Sequence, residues 1–214
     1  MILRFALLIA LAVLPGRVWA EADQPGRFDF YVLALSWSPS YCASVEPGRS
    51  PLQCDSGRPF GFVLHGLWPQ YEEGYPQHCD SPEPGPSRYL IASLLDIMPS
   101  EGLIRHQWRK HGECSGLSAE HYFALSRALY ESVDVPEAYR EPESPLQTSS
   151  WDLEAAFLSA NPDLSADMVS LVCSGEGLRE VRICFDKDET PRACPSLERR
   201  DCRRGTLNVL PVGE

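Results

Sequence analysis

The feature that most limits how this chain can fold is its set of eight cysteines: Cys42, Cys54, Cys79, Cys114, Cys173, Cys184, Cys194 and Cys202. An even number with no CxxC pair and no zinc-ribbon spacing reads as four disulfides rather than a metal site. Eight thiols permit about a hundred pairings, and spacing alone does not choose among them. It does call for an oxidising compartment, where each bridge adds roughly 2–4 kcal/mol. The N-terminus agrees. Residues 1–20, MILRFALLIALAVLPGRVWA, place an apolar run from Phe5 to Leu14 after Arg4 and end in Val18-Trp19-Ala20. The run is shorter than the ~20 apolar residues a bilayer takes, and it has the make-up of a secretory signal peptide. A buried N-terminal helix is the competing reading. The expected organisation is a signal peptide over 1–20 and one domain over 21–214, exported to the periplasm or the outside, with no membrane span.

Length favours one domain as well: 214 residues, 43% of them hydrophobic, suffice for a single core. Nineteen Lys and Arg stand against 30 Asp and Glu, a net charge of −11, and loss of the leader removes Arg4 and Arg17. Such a balance argues against a broad basic face for gripping nucleic acid. A local cation cluster at Arg105, His106, Arg109 and Lys110 is compatible with it.

Hydrophobic patterning places strands near both ends and helices between. Phe28–Trp37 (FDFYVLALSW) is apolar at both alternating sets, as in a strand covered on both faces, and Ser38-Pro39 ends it. Gly61–Leu64 reads as a second short strand, with His65-Gly66 directly after it, and Pro and Gly crowd 69–86 into a loop. The spacing predicts helices over Arg88–Met98, Leu103–His111, Ala119–Val133 (capped by Ser118) and from Ser149 or Ser150 through Ala160. Residues 136–145 read as a linker-like loop. Val169–Cys173 and Leu178–Phe185 alternate like a strand pair, and the last twenty residues read as irregular. The fold class is α+β: one domain, a central mostly antiparallel sheet flanked by helices, stapled by disulfides.

Three of the five histidines lie in two short patches, FVLHGLWPQ (62–70) and IRHQWRKHGEC (104–114). Imidazole changes charge near neutrality, so it can exchange a proton with a reacting oxygen, and a neighbouring Lys offers charge to a developing oxyanion. His106 and His111 are five apart, about 140° round a helix, which converges poorly on one metal ion. His106 and Lys110 instead share one face, and Gln107 and His111 the next, where the amide can orient the imidazole. That pattern suits an anionic substrate. Each feature alone has a plain structural reading: His65 as a core histidine, Trp68 and Trp108 as core aromatics, 105–110 as a solvated helix face. His78 and His121 read as surface or structural residues.

The two patches resemble the active-site segments of the ribonuclease T2 family, written HGLWP and HEWxKHGxC. FDFYVLALSWSPSYC (28–42) is similar to its first long strand, and LVCSGEGLREVRICFDKD (171–188) to its late strand pair. The resemblance implies an RNase T2-like fold and an endoribonuclease that needs no metal or other cofactor. It would cut single-stranded RNA through a 2′,3′-cyclic phosphate to 3′-phosphate ends with low base specificity. It implies His111 as general base, His65 as general acid, His106 on the phosphate, Lys110 on the charged transition state, and Trp68 in a base-binding site. Gln107 stands where the family carries Glu, and an amide cannot exchange a proton. Lower basicity at His111 and a more acidic optimum would follow. Gln70 stands where some members have Asp, which leaves base preference open. The family pattern pairs Cys42–Cys54, Cys79–Cys114, Cys173–Cys202 and Cys184–Cys194. DNA, lacking the 2′-hydroxyl, would not be cut, no membrane is involved, and the expected state is a monomer. The competing readings are a catalytically weak binding, storage or inhibitory relative, marked by loss of His65 or His111, and a metal-dependent phosphodiesterase.

Overall fold

The computed structural model describes residues 23–194 and 202–213. The leader expected over 1–20 lies outside the described residues. Six strands form one sheet: β1 (Phe30–Trp37), β2 (Phe62–Gln70), β3 (Leu146–Thr148), β4 (Val169–Ser174), β5 (Gly177–Phe185) and β6 (Leu207–Val209). The order is β2-β1-β5-β6-β3, with β4 also on β5. Every pairing is antiparallel except the single bridge between β5 and β6 at Gly177 and Asn208. The architecture is the expected mostly antiparallel α+β domain.

The long strands are covered on both faces. From β1, Tyr31, Leu33, Leu35 and Trp37 enter the main core, while Phe30 and Val32 pack with Cys184 and Cys194 on the other side, against Trp68. The helices over the main core are α3 (Arg88–Leu94), α4 (Glu101–Lys110), α5 (Ala119–Glu131) and α6 (Ser150–Ala160). Ser87, Ser100, Ser118 and Ser149 each accept a backbone N–H from the first turn of one of these helices. Tyr122 of α5 donates its hydroxyl to the Leu67 carbonyl at 2.7 Å, which fastens that helix under β2.

Several boundaries differ from expectation, each for a local reason. β2 does not stop at Leu64 but runs on through Gln70. Ala34 pairs with Gly66 and Leu35 with Leu64, so His65 is the extra residue of a β-bulge and the ladder continues past it. Pro69 is tolerated because β2 is an edge strand. α3 ends near Leu94, short of Met98, because the Ile97 carbonyl accepts from Leu64 N–H on that edge. Ser38-Pro39 opens a helix, α1 (Ser38–Ser44), with Pro in its first turn, and α2 (Pro51–Cys54) follows. The C-terminal tail, expected to be irregular, contributes β6, paired with β3 from the expected linker side.

The disulfides are Cys42–Cys54, Cys79–Cys114, Cys173–Cys202 and Cys184–Cys194, the pairs the family pattern implied. Cys79–Cys114 ties the loop after β2 to the turn after α4, and so joins the two segments that carry the histidines.

Candidate active site

The bulge in β2 sets which side chains face the site. Phe62 and Leu64 point into the main core, and after the extra residue so does Leu67. Trp68 and Gln70 are thereby turned to the opposite face, where Trp68 pairs across from Val32 and Gln70 from Phe30. His65 sits at the bulge, about a third exposed, with Nδ1 2.6 Å from Glu180 Oε1.

α4 approaches with Ile104, Gln107 and Trp108 inward. Gln107 Oε1 accepts from the Trp68 indole N–H at 2.8 Å. This bond passes over Gly66, where a Cβ would land on Gln107 Oε1 and 2.5 Å from Trp68 Nε1, so the position admits only glycine. His111 caps α4, donating its backbone N–H to the Gln107 carbonyl. The chain then turns through a 3-10 segment, Gly112–Ser115, which holds Cys114. A Cβ at Gly112 would lie 2.5 Å from the Trp108 ring, so glycine lets the turn fold this closely.

His111 is 5% exposed, and its Nδ1 is buried without a partner among the described residues. Nε2 is the nitrogen left to meet a ligand. Burial, together with the positive charge of Lys110 and the neighbouring imidazoles of His106, His65 and His78, pushes its pKa down to about 3. The ring is neutral at any ordinary pH. Trp68 lies between the two imidazoles: the His65 ring meets it edge-on at 5.2 Å between centroids, and the His111 ring stacks on it at 5.5 Å. His106 is exposed on α4 and near the site, its pKa lowered by burial of part of the ring, by Lys110 and Arg109, and by His65 and His78. The site thus gathers two imidazoles around one indole, with cations along the adjoining helix.

The sequence profile of the ribonuclease T2 family matches residues 28–194, most of the chain. The chain belongs to the ribonuclease T2 family. It is a T2-type RNA endonuclease with RNA as its substrate, and the binding or storage alternative is not favoured. A ribonuclease of Aeromonas hydrophila is 43% identical over 174 residues, spanning 78% of this chain and 76% of that protein. A probable ribonuclease of Haemophilus influenzae is 38% identical over 180 residues, spanning 78% and 61%. The solved structure of RNase NT in complex with 5′-AMP has a TM-score of 0.66 at 26% identity and covers 86% of this chain and 98% of its own.

Of the residues singled out from sequence, this T2 enzyme brings His65, Trp68, Gln107 and His111 into one cluster. Gln107 turns its amide oxygen to Trp68, and His111 Nδ1 has no partner among the described residues, so no hydrogen bond to that nitrogen orients the ring. Gln70 is buried and donates to its own neighbour's carbonyl, Pro69 O, at 2.9 Å. Arg105 is drawn to Glu101 one turn back. His121 is an exposed cap residue against Ser118, while exposed His78 lies close enough to the site to act electrostatically on His106 and His111.

Three residues were missed. Glu180 and Arg182 of β5 sit beside His65 and Trp68, with the Arg182 guanidinium 5.0 Å over the Trp68 ring. Their signal was charge inside a strand that is otherwise mostly apolar, where Arg179, Glu180 and Arg182 stand among Leu178, Val181, Ile183 and Phe185. Tyr75, 43% exposed, reaches within 6.5 Å of the His111 ring and had only its proximity to the first motif to mark it. A cleft of about 630 Å³ opens at His65 and Glu180 and extends past Ser36, Ser100 and Leu103 to Tyr41 and Asn208.

Proposed function

We propose that the enzyme cleaves single-stranded RNA with little base preference by moving the phosphoryl bond from the 5′-oxygen to the ribose 2′-oxygen. In this reading His111 Nε2 takes the 2′-hydroxyl proton as that oxygen bonds to phosphorus. His65 Nε2 gives a proton to the departing 5′-oxygen, leaving a 2′,3′-cyclic phosphate. In a second step the rings exchange roles: His65 takes a proton from water as its oxygen bonds to phosphorus, the bond from phosphorus to the 2′-oxygen breaks, His111 returns the proton to that oxygen, and a 3′-phosphate results. His106 and Lys110 hold the phosphate and offset the charge that builds on its oxygens.

The observation that carries this reading is the pair of imidazoles flanking Trp68, one half-open and one kept neutral by burial. A base must be unprotonated before the reaction, and His111 meets that condition far into the acid range. Trp68 and Tyr75 supply ring faces on which any base can stack, and the cleft beside His65 has room for the leaving nucleoside. The chemistry rests on a 2′-hydroxyl, so DNA is not cut. Among the described residues no three His, Cys, Asp or Glu side chains gather as metal ligands, and the reading assigns no step to a metal. We place the working enzyme outside the cytoplasm as a monomer. The apolar run from Phe5 to Leu14, read as part of a signal peptide, and four disulfides support export, and no described helix is long and apolar enough to cross a membrane.

The test is digestion of poly(U), poly(A) and poly(C) by the purified protein in EDTA, with the ends analysed by phosphorus NMR. Cyclic phosphate followed by 3′-phosphate from all three polymers is expected. Loss of activity in EDTA, or 5′-phosphate ends, overturns the reading.

A further inference from the structure

Glu180 is a carboxylate buried to 3% exposure on a sheet whose other buried positions are almost all apolar. Its place there depends on a second bulge. Cys173 pairs with Leu178 and Val172 with Glu180, so Arg179 is the extra residue of β5. Leu178 faces the main core, as do Val181 and Ile183 three and five positions on, and the slip of one residue moves Glu180 onto the opposite face. There it pairs across from Ser36 of β1, which also faces Val63 of β2, one turn of the ladder from the bulged His65. Two irregularities in separate strands thus meet, and neither side chain would reach the other without both.

From this geometry we infer that Glu180 is a positioning residue for His65: its carboxylate fixes the hydrogen on Nδ1, aims Nε2 at the substrate and supports the imidazolium form during proton donation. A carboxylate only accepts, so at 2.6 Å the hydrogen of that contact belongs to His65 Nδ1. The carboxylate is in turn held at three points. Oε1 also accepts from Ser36 Oγ at 3.2 Å, and Oε2 accepts from Arg182 Nε at 2.6 Å. Arg182 then lies over Trp68, so the acid's support is braced against the indole that stacks on His111. Burial pushes the Glu180 carboxyl up, but the His65 hydrogen bond and the charge of Arg182 outweigh it and keep it ionised. The charged or titratable groups facing this pair are Arg182, with Arg179, Glu176 and Tyr41 along the cleft, and His106 and His111 across the site.

The inference rests on His65 being the acid of the proposed reaction, and the leaving group tests that link. Glu180→Gln keeps the size and removes the charge. On RNA, kcat is expected to fall about 10- to 100-fold with KM within twofold, and the alkaline limb of the kcat/KM profile to move to lower pH. On uridine 3′-(4-nitrophenyl phosphate), whose leaving group departs unprotonated, most of the loss should vanish. Glu180→Asp, which keeps the charge but is one methylene short, should retain more of the RNA rate than Glu180→Gln. An equal loss on both substrates with an unmoved pH profile overturns the inference. Independently of activity, nitrogen-15 NMR of the wild-type protein should find the His65 hydrogen on Nδ1 in the neutral ring, and a hydrogen on Nε2 instead overturns it even if Glu180→Gln does not fold. A wild-type protein that cuts no RNA but shows the Nδ1 hydrogen would sink the function and leave the pairing intact.

Discussion

His65 and His111 are the same side chain given opposite surroundings. His65 stands on a sheet bulge, a third exposed, with an ionised carboxylate on its inner nitrogen. His111 ends a helix, 5% exposed, with no partner on its inner nitrogen among the described residues and with Lys110 and three other imidazoles nearby. The first environment sets a carboxylate against the ring proposed to give a proton, and the second keeps the ring proposed to take one neutral. In the proposed reaction acid and base are distinguished by burial and neighbours, not by residue type. The supports differ too: His65 is held by a hydrogen bond to a charge, His111 by packing against Trp68 and by the Cys79–Cys114 bridge, whose Cys114 lies three residues further on.

The comparison breaks most visibly in single substitutions. His65→Ala and His111→Ala should each lower kcat on RNA by about 10²- to 10⁴-fold, the usual worth of one acid or base. Measured on a 4-nitrophenyl leaving group, only the His111→Ala loss should persist. Equal losses there would erase the distinction between the rings. Next in size is the bridge. Replacing Cys79 and Cys114 together by Ala should cost roughly 2–4 kcal/mol in denaturant unfolding. In the folded fraction it should reduce kcat through a looser His111 more than it alters the His65–Glu180 contact.

Acid stability sharpens the contrast further. His111 has its folded pKa depressed from 6.5 to about 3. The unfolded chain therefore takes up a proton below about pH 6.5 that the folded chain refuses, and stability falls as pH drops through that window. Thermal melts of His111→Leu should show a shallower decline between pH 6.5 and 3 than the wild type. Smaller again is Gln107→Glu. A carboxylate on the Trp68 indole, next to His111, favours the charged ring, so the acid limb of the rate profile should move to higher pH; a limb that stays put would show that the amide is electrostatically silent. The smallest effect is expected from His78→Ala, which should change kcat less than twofold because, among the described residues, no side-chain hydrogen bond ties it to either ring and its influence is through charge alone.

Much of this was legible along the chain. The helix starts follow from Ser caps and apolar spacing, both local properties, and α4 and α6 lie within two residues of the expected bounds. The two histidine patches could be found because each is contiguous. What lay outside such reading was everything that depends on register. A bulge is one extra residue whose consequence is felt only against a partner strand, so neither the continuation of β2 through Gln70 nor the turn of Glu180 onto the site face could be read from either segment alone. β3 and β6 are three residues each and are strands because they pair with one another and because β6 meets β5 at one bridge.

The sequence by itself determined the chemistry at hand: two imidazoles, a lysine, an indole, eight thiols and caps for the helices that carry them, since residue identity and short-range spacing are local. Tertiary structure decided the opposite surroundings of the two imidazoles. They come from a carboxylate 115 residues away on β5 and from how deeply the end of α4 is buried. Desolvation and charge act through space, at distances the order of residues does not encode.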